Sequence, residues 1–191
     1  TSGIAPGPPE PDPMGTEFGP MGLSICFDLN FEPPWASYAR KGCRLVVWSS
    51  AYAGGELLQA RAVLGGFYMV AATLTPCLSV VSPLGRIVNA SNGQTLSLET
   101  CLDLDEALVH MDYANKVIGE IRRQYGANLQ IEEYAEIGWY RFVRRDGAPL
   151  KDILKEFGLT TAREYLRASA LDAEARRKGL PGRNWDPGWQ A

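Results

Sequence analysis

"GLSICFDLNF", residues 22–31, decides how this chain is read. Gly22 to Ile25 form an apolar run, a thiol follows at Cys26, and an acidic residue comes two places later at Asp28. The run predicts a buried strand. Downstream, Pro33 and Pro34 suit the first turn of a helix and Gly42 suits its end. "CRLVVWSS" (43–50) predicts a second strand, and its nearly continuous apolar run implies cover on both faces. "ELLQARAVLGG" (56–66) reads as a short helix stopped by paired glycines, and "FYMVAAT" (67–73) as a third buried strand. Strand, helix, strand, helix, strand is the signature of an α/β fold.

Outward from this block the rhythm changes. Residues 1–20 carry six prolines and four glycines without an apolar period, which predicts an extended lead-in. "CLSVVSPLGRIVNAS" (77–91) reads as a hairpin around Pro-Leu-Gly, and the alternating "TLSLETCLDLD" (95–105) as a further strand. "ALVHMDYANKVIGEIRRQYG" (107–126) looks helical in its second half, and "LQIEEYAEIGWYRFVRRDG" (129–147) as two strands. Two helices follow, 149–158 and 160–179, with Thr160 or Thr161 as the cap of the second. Leu150, Ile153, Leu154 and Phe157 form a helical stripe, suited either to the chain's own sheet or to a partner subunit. The runs "RRDG" and "EARRKG" are expected to be solvated faces, and the tail after 180 to be loose.

Bulk properties exclude several classes. The 191 residues suit one domain or most of one, and 46% hydrophobic with 21% charged content is ordinary for a globular protein. A net charge of −3 from 19 basic and 22 acidic residues argues against a nucleic-acid surface. The longest apolar run, "GGFYMVAATLTPCLSVV", is broken by Pro76 and polar residues, so no membrane span is expected. Four scattered cysteines, Cys26, Cys43, Cys77 and Cys101, need no disulfide framework and suit a reducing, cytoplasmic setting. A single histidine, His110, leaves little for a zinc site or a histidine-dependent triad. Neither a metal nor a cofactor is expected.

Cys26 stands where a strand ends and a helix is about to begin. In α/β sheets the working surface lies at the carboxyl ends of strands, and a nucleophile on a strand–turn–helix elbow is presented to it. Backbone N–H groups just beyond such a thiol can face a developing oxyanion. The other three cysteines read as structural. A catalytic thiol needs a base, and no residue here is an obvious one: His110 would have to fold back from a distant segment, and Asp28 reads better as an arginine partner or a helix cap.

The same residues resemble the nitrilase superfamily of carbon–nitrogen hydrolases. "GLSICFDLNF" is similar to its nucleophile strand, roughly Gly-x-x-Ile-Cys-Tyr/Phe-Asp-x-x-Phe. "LVVWSSAY" resembles the next strand and its Pro-Ser-Ala-Phe loop, with Ser49 for the proline and Tyr52 for the aromatic. "ARAVLGGFYMVAA", "SVVSPLGRIV" and "ETCLDLD" continue the likeness in order, over about residues 15–106. Departures fall at Leu64, where the family often has Glu, at the glycine that replaces an Asn, and at Asn30, near a common Arg.

The resemblance implies a partial four-layer α-β-β-α sandwich. It implies a lead-in at 1–20, the carboxyl-terminal part of a hydrolase domain at 21–145 and a helical extension at 146–191. Cys26 is then the nucleophile, the Phe27 N–H an oxyanion donor, and the Ser50–Ala51–Tyr52 loop the pocket lining. Asp28 and Arg61 are structural at the site, expected as a pair. The substrate is a small-molecule amide or nitrile, and a homo-oligomer is expected. The family's general-base Glu and its Lys normally precede the cysteine, and neither Glu10 nor Glu17 fits the first, so the chain reads as a piece of a longer enzyme, inactive alone. An acyltransferase or amide synthase of the same superfamily, and a non-catalytic interaction module, are the alternatives. A cysteine–histidine glutamine amidotransferase using His110 is a third.

Overall fold

The apolar run before Cys26 is the second strand of a six-stranded sheet in a computed structural model that describes residues 7–74, 78–92, 94 and 97–181. Two compact units divide the chain, Thr1–Leu104 and Asp105–Ala191. Residue 145 falls inside the second.

In the first unit the sheet follows chain order: β1 (Met14–Thr16), β2 (Gly19–Ile25), β3 (Leu45–Ser50), β4 (Tyr68–Thr73), β5 (Ser79–Val81) and β6 (Ile87–Ala90). β2, β3 and β4 are parallel, and the outer pairs are antiparallel. The tight link from β1 to β2 uses Gly19 at φ +107°, where a side chain would be strained. Helices α1 (Pro33–Arg40) and α2 (Gly55–Gly65) make the two crossovers. Pro33 and Pro34 open α1 at positions whose N–H groups have no helical partner anyway. α2 ends on Gly66, left-handed at φ 62°, whose N–H bonds the Ala62 carbonyl. The strand–helix–strand–helix–strand reading therefore holds, as does the hairpin of β5 and β6, whose turn closes with Gly85 N–H on the Ser82 carbonyl at 2.8 Å. Cys77 lies outside the described residues.

Trp35, Tyr38, Val46, Trp48, Phe67 and Met69 fill the core on one face of this sheet. Gly22 is part of that fit. A Cβ there would stand 2.9 Å from both the Tyr38 ring and Val46, so only glycine lets Tyr38 lie under β2. On the other face Leu23 and Ile25 are 50% and 64% exposed, and Leu45 and Val47 are half-buried. The expected cover on both faces is thus not present within this unit, because α1 and α2 pack on the same side.

The segment 97–105 is not a strand. Its burial alternates residue by residue, as the sequence suggested, but no ladder forms. Side chains serve its backbone instead: Asn89 donates to the Glu99 carbonyl and Arg44 to that of Leu104. Alternation reports a half-covered surface, and a strand needs a neighbour as well.

The second unit runs β7 (Glu106–His110), α3 (Met111–Tyr125), β8 (Leu129–Tyr134), β9 (Trp139–Arg144), α4 (Leu150–Glu156) and α5 (Ala162–Arg177). β9 lies between β7 and β8, antiparallel to each. Thr161 caps α5 by accepting from Glu164 N–H, while the Glu164 carboxylate accepts from Thr161 N–H. Leu150, Ile153, Leu154 and Phe157 pack into this unit's own core with Phe142 and Ile121. The "RRDG" run is not a solvated face throughout: Arg144 pairs with Asp146 at 2.6 Å and lies over the Tyr125 ring. Among the described residues no helix is long and apolar enough to cross a membrane.

Candidate active site

β2 ends at Ile25, beside Ser49 of parallel β3, so the turn after β2 and the loop after β3 leave the sheet side by side. Cys26 opens a short 3-10 turn, Cys26–Asn30. Its φ is +45°, and it is the one non-glycine residue with positive φ among the described residues. That conformation brings Cβ close to the backbone and costs about 1–2 kcal/mol for an L-residue. Such strain persists only where the surroundings over-determine it.

Those surroundings are visible. Each carbonyl from Cys26 to Leu29 accepts a hydrogen bond from a side chain. The Cys26 carbonyl takes two, from Trp48 Nε1 at 3.0 Å and Tyr52 Oη at 3.1 Å. Asn30 Nδ2 donates to the Phe27 carbonyl at 3.1 Å, Trp35 Nε1 to that of Asp28 at 3.0 Å, and Arg61 Nε to that of Leu29 at 3.2 Å. The side chain of Leu29 is fully buried and anchors the turn in the core. Below it, the Tyr38 hydroxyl donates to the Leu23 carbonyl, and burial pushes that phenol above its usual pKa.

The residues singled out from sequence fall as follows. Cys26 is a half-buried free thiol. Phe27 is 65% exposed and meets Phe31 edge to face at 5.7 Å. The Asp28 carboxylate turns back onto Ile25 N–H at 3.0 Å, which closes the start of the turn. Because Asp28 is used there, the expected pairing with Arg61 does not form, and Arg61 holds the turn through the Leu29 carbonyl instead. Ser50 Oγ accepts from Tyr52 N–H at 3.1 Å and shapes the loop, and Ala51 is exposed on it. Tyr52 reaches back to Cys26 and packs edge to face on Trp48 at 5.3 Å.

Trp48 and Trp35 were not legible as site residues. Their signal was weak but present: a buried indole N–H must find an acceptor, and a turn with open carbonyls nearby supplies one. His110 belongs to the second unit. Its Nδ1 accepts from Asp112 N–H at 3.2 Å, capping α3, and its ring stacks on Tyr165 at 4.3 Å. Cys43 is fully buried, as its structural reading requires, and Cys101 is exposed.

With this geometry in hand, known proteins give a consistent match. Residues 5–105 match the family model described as carbon-nitrogen hydrolase. Omega-amidase NIT2 of Homo sapiens is 30% identical over 128 residues, covering 57% of this chain and 42% of the human protein. Omega-amidase NIT2-B of Xenopus laevis is 31% identical over 137 residues, covering 62% and 47% respectively. Among solved structures, Saccharomyces cerevisiae Nit3, a member of branch 10 of the nitrilase superfamily, is 25% identical with a TM-score of 0.43. It covers 66% of this chain and 49% of Nit3. This chain spans less than half the length of these curated relatives.

Proposed function

We propose, because the chain belongs to the carbon–nitrogen hydrolase family, that Cys26 is the nucleophile of an amidase-type reaction on a small-molecule amide. The thiol gives up its proton to the glutamate base that the resemblance calls for, which later passes it to the leaving nitrogen, and Sγ bonds to the carbonyl carbon, whose π electrons move onto oxygen. The oxyanion is held by the Phe27 N–H. The electrons return, the C–N bond breaks, and the nitrogen leaves with a proton as ammonia or an amine. Water then cleaves the thioester, and the acid and free thiol are released. Ser50, Ala51 and Tyr52 line the pocket, while Asp28 and Arg61 keep the turn in shape. The resemblance also calls for a glutamate base and a lysine beside the oxyanion, and we assign neither to a residue of this chain. Turnover of an amide is accordingly expected only where both are supplied, whereas an activated ester, whose phenolate leaves without a proton, needs only the Cys26 thiolate.

The observation that carries this reading is the positive φ of Cys26 inside a turn whose carbonyls are tied down by side chains. A buried structural cysteine has no need of either. Amide rather than nitrile chemistry is favoured by the omega-amidase relatives, and the family match at residues 5–105 includes this turn. The test is trapping with chloroacetamide, an electrophilic amide that alkylates a reactive thiol. Peptide mass spectrometry is expected to find the adduct on Cys26 first, ahead of the more exposed Cys101. Preferential labelling of Cys101 overturns the assignment. Product analysis with an amine acceptor present separates the alternatives: the acceptor's amide as main product marks an acyltransferase, and the free acid a hydrolase.

A further inference from the structure

We infer that Tyr52 and Trp48 are positioning residues that aim the Phe27 N–H at the oxyanion by clamping the Cys26 carbonyl, an inference that rests on Cys26 being the nucleophile. A peptide group is planar and trans, so the N–H of Phe27 and the C=O of Cys26 point in opposite directions in one rigid plane. Whatever fixes the carbonyl fixes the N–H. Trp48 Nε1 and Tyr52 Oη both donate to that carbonyl, at 3.0 and 3.1 Å. They come from different places, one from within β3 and one from the loop beyond it, so together they set the plane's tilt rather than a single distance.

The two donors are themselves held. Trp48 is fully buried in the core. The Tyr52 ring stands edge to face on it, with an interplanar angle of 79°. The direction of the Tyr52 hydroxyl is set as well. Asn30 Nδ2 has only protons to offer and lies 3.3 Å from Tyr52 Oη, so the oxygen accepts there and its own proton goes to Cys26. The same amide donates to the Phe27 carbonyl at 3.1 Å, so the carbonyls on both sides of the Phe27 N–H are restrained. A backbone at φ +45° would otherwise relax and swing this peptide.

The experiment compares two reactions of Cys26 in the 191-residue chain. Acylation by p-nitrophenyl acetate passes through an oxyanion. Alkylation by iodoacetamide displaces iodide at a saturated carbon and makes none. Tyr52→Phe keeps the ring against Trp48 and removes only the hydroxyl. Loss of a whole oxyanion donor costs about 100- to 1000-fold, so misaiming one is expected to slow acylation about tenfold. Alkylation, which reads thiol access and ionisation, stays within about twofold. Rates that fall together, or acylation that does not change while still landing on Cys26, overturn the positioning role. Failure of the unsubstituted chain to acylate at Cys26 at all is a different result, and it overturns the nucleophile assignment beneath it.

Discussion

In the first unit the side chains of Trp48, Tyr52, Asn30, Trp35 and Arg61 all donate to the backbone of one turn, Cys26 to Leu29. In the second unit the comparable donors serve charge instead. Arg141 of β9 bonds the carboxylates of Glu106 on β7 and Glu132 on β8, and Tyr134 adds its hydroxyl to Glu132 at 2.7 Å. These are cross-strand pairs that hold a sheet in register. The first arrangement keeps a backbone in a shape it would not choose, with Cys26 at φ +45°. The second leaves every described non-glycine residue of its unit at negative φ and neutralises a buried carboxylate. The contrast teaches where to look for chemistry. Ionisable clusters are as often framework as function, whereas a strained residue held by converging donors requires an explanation that packing does not give.

Substitutions at three positions can break or sharpen this contrast. The largest effect belongs to the framework. Arg141→Ala removes the guanidinium that bonds the Glu106 carboxylate, itself 5% exposed, and is expected to destabilise the second unit by about 3 kcal/mol in urea unfolding. A loss below about 1 kcal/mol would mean the pair behaves as a surface contact. A smaller effect tests the strain. Cys26→Gly is expected to be more stable than Cys26→Ala by about 1 kcal/mol, because glycine accepts positive φ without penalty. Equal stabilities would remove the strain from the account.

The smallest effect is a pH dependence. The Tyr134 hydroxyl, and after it Arg141, hold Glu132 below its ordinary value of 4.5, against the opposing effect of burial. A carboxylate with a lowered folded pKa stabilises the fold above its unfolded pKa and loses that contribution as pH falls through the folded value. The stability difference between the unsubstituted chain and Glu132→Gln should therefore be constant at neutral pH and shrink below 4.5. A difference that does not change on acidification contradicts the pairing.

Legibility in the sequence followed the range of the interactions. The β2–α1–β3–α2–β4 block was readable because prolines, glycines and apolar runs act within a few residues. The cap of α5 was readable to within one residue, Thr160 or Thr161, for the same reason, and it is Thr161. Cys26 stood out as the candidate because a strand end and a motif coincide there. What escaped depended on partners far along the chain. Trp48 and Arg61 reach carbonyls 22 and 32 residues away, and no local pattern announces which acceptor a buried donor will find. Asp28 misled by proximity of charge: its nearest need was the Ile25 N–H, three residues back. Segment 97–105 kept its alternation without a ladder, since pairing is decided by a neighbouring strand and not by the segment itself.

The most direct measurement of the central claim is where an acyl group comes to rest. The 191-residue chain is mixed with p-nitrophenyl acetate, digested and mapped by mass spectrometry, with Cys26→Ala as the blank. The account predicts one acetyl per chain, on Cys26, and none on that peptide in the blank. Acetyl groups spread over Cys101 and the exposed lysines, with Cys26 unmodified, would contradict it.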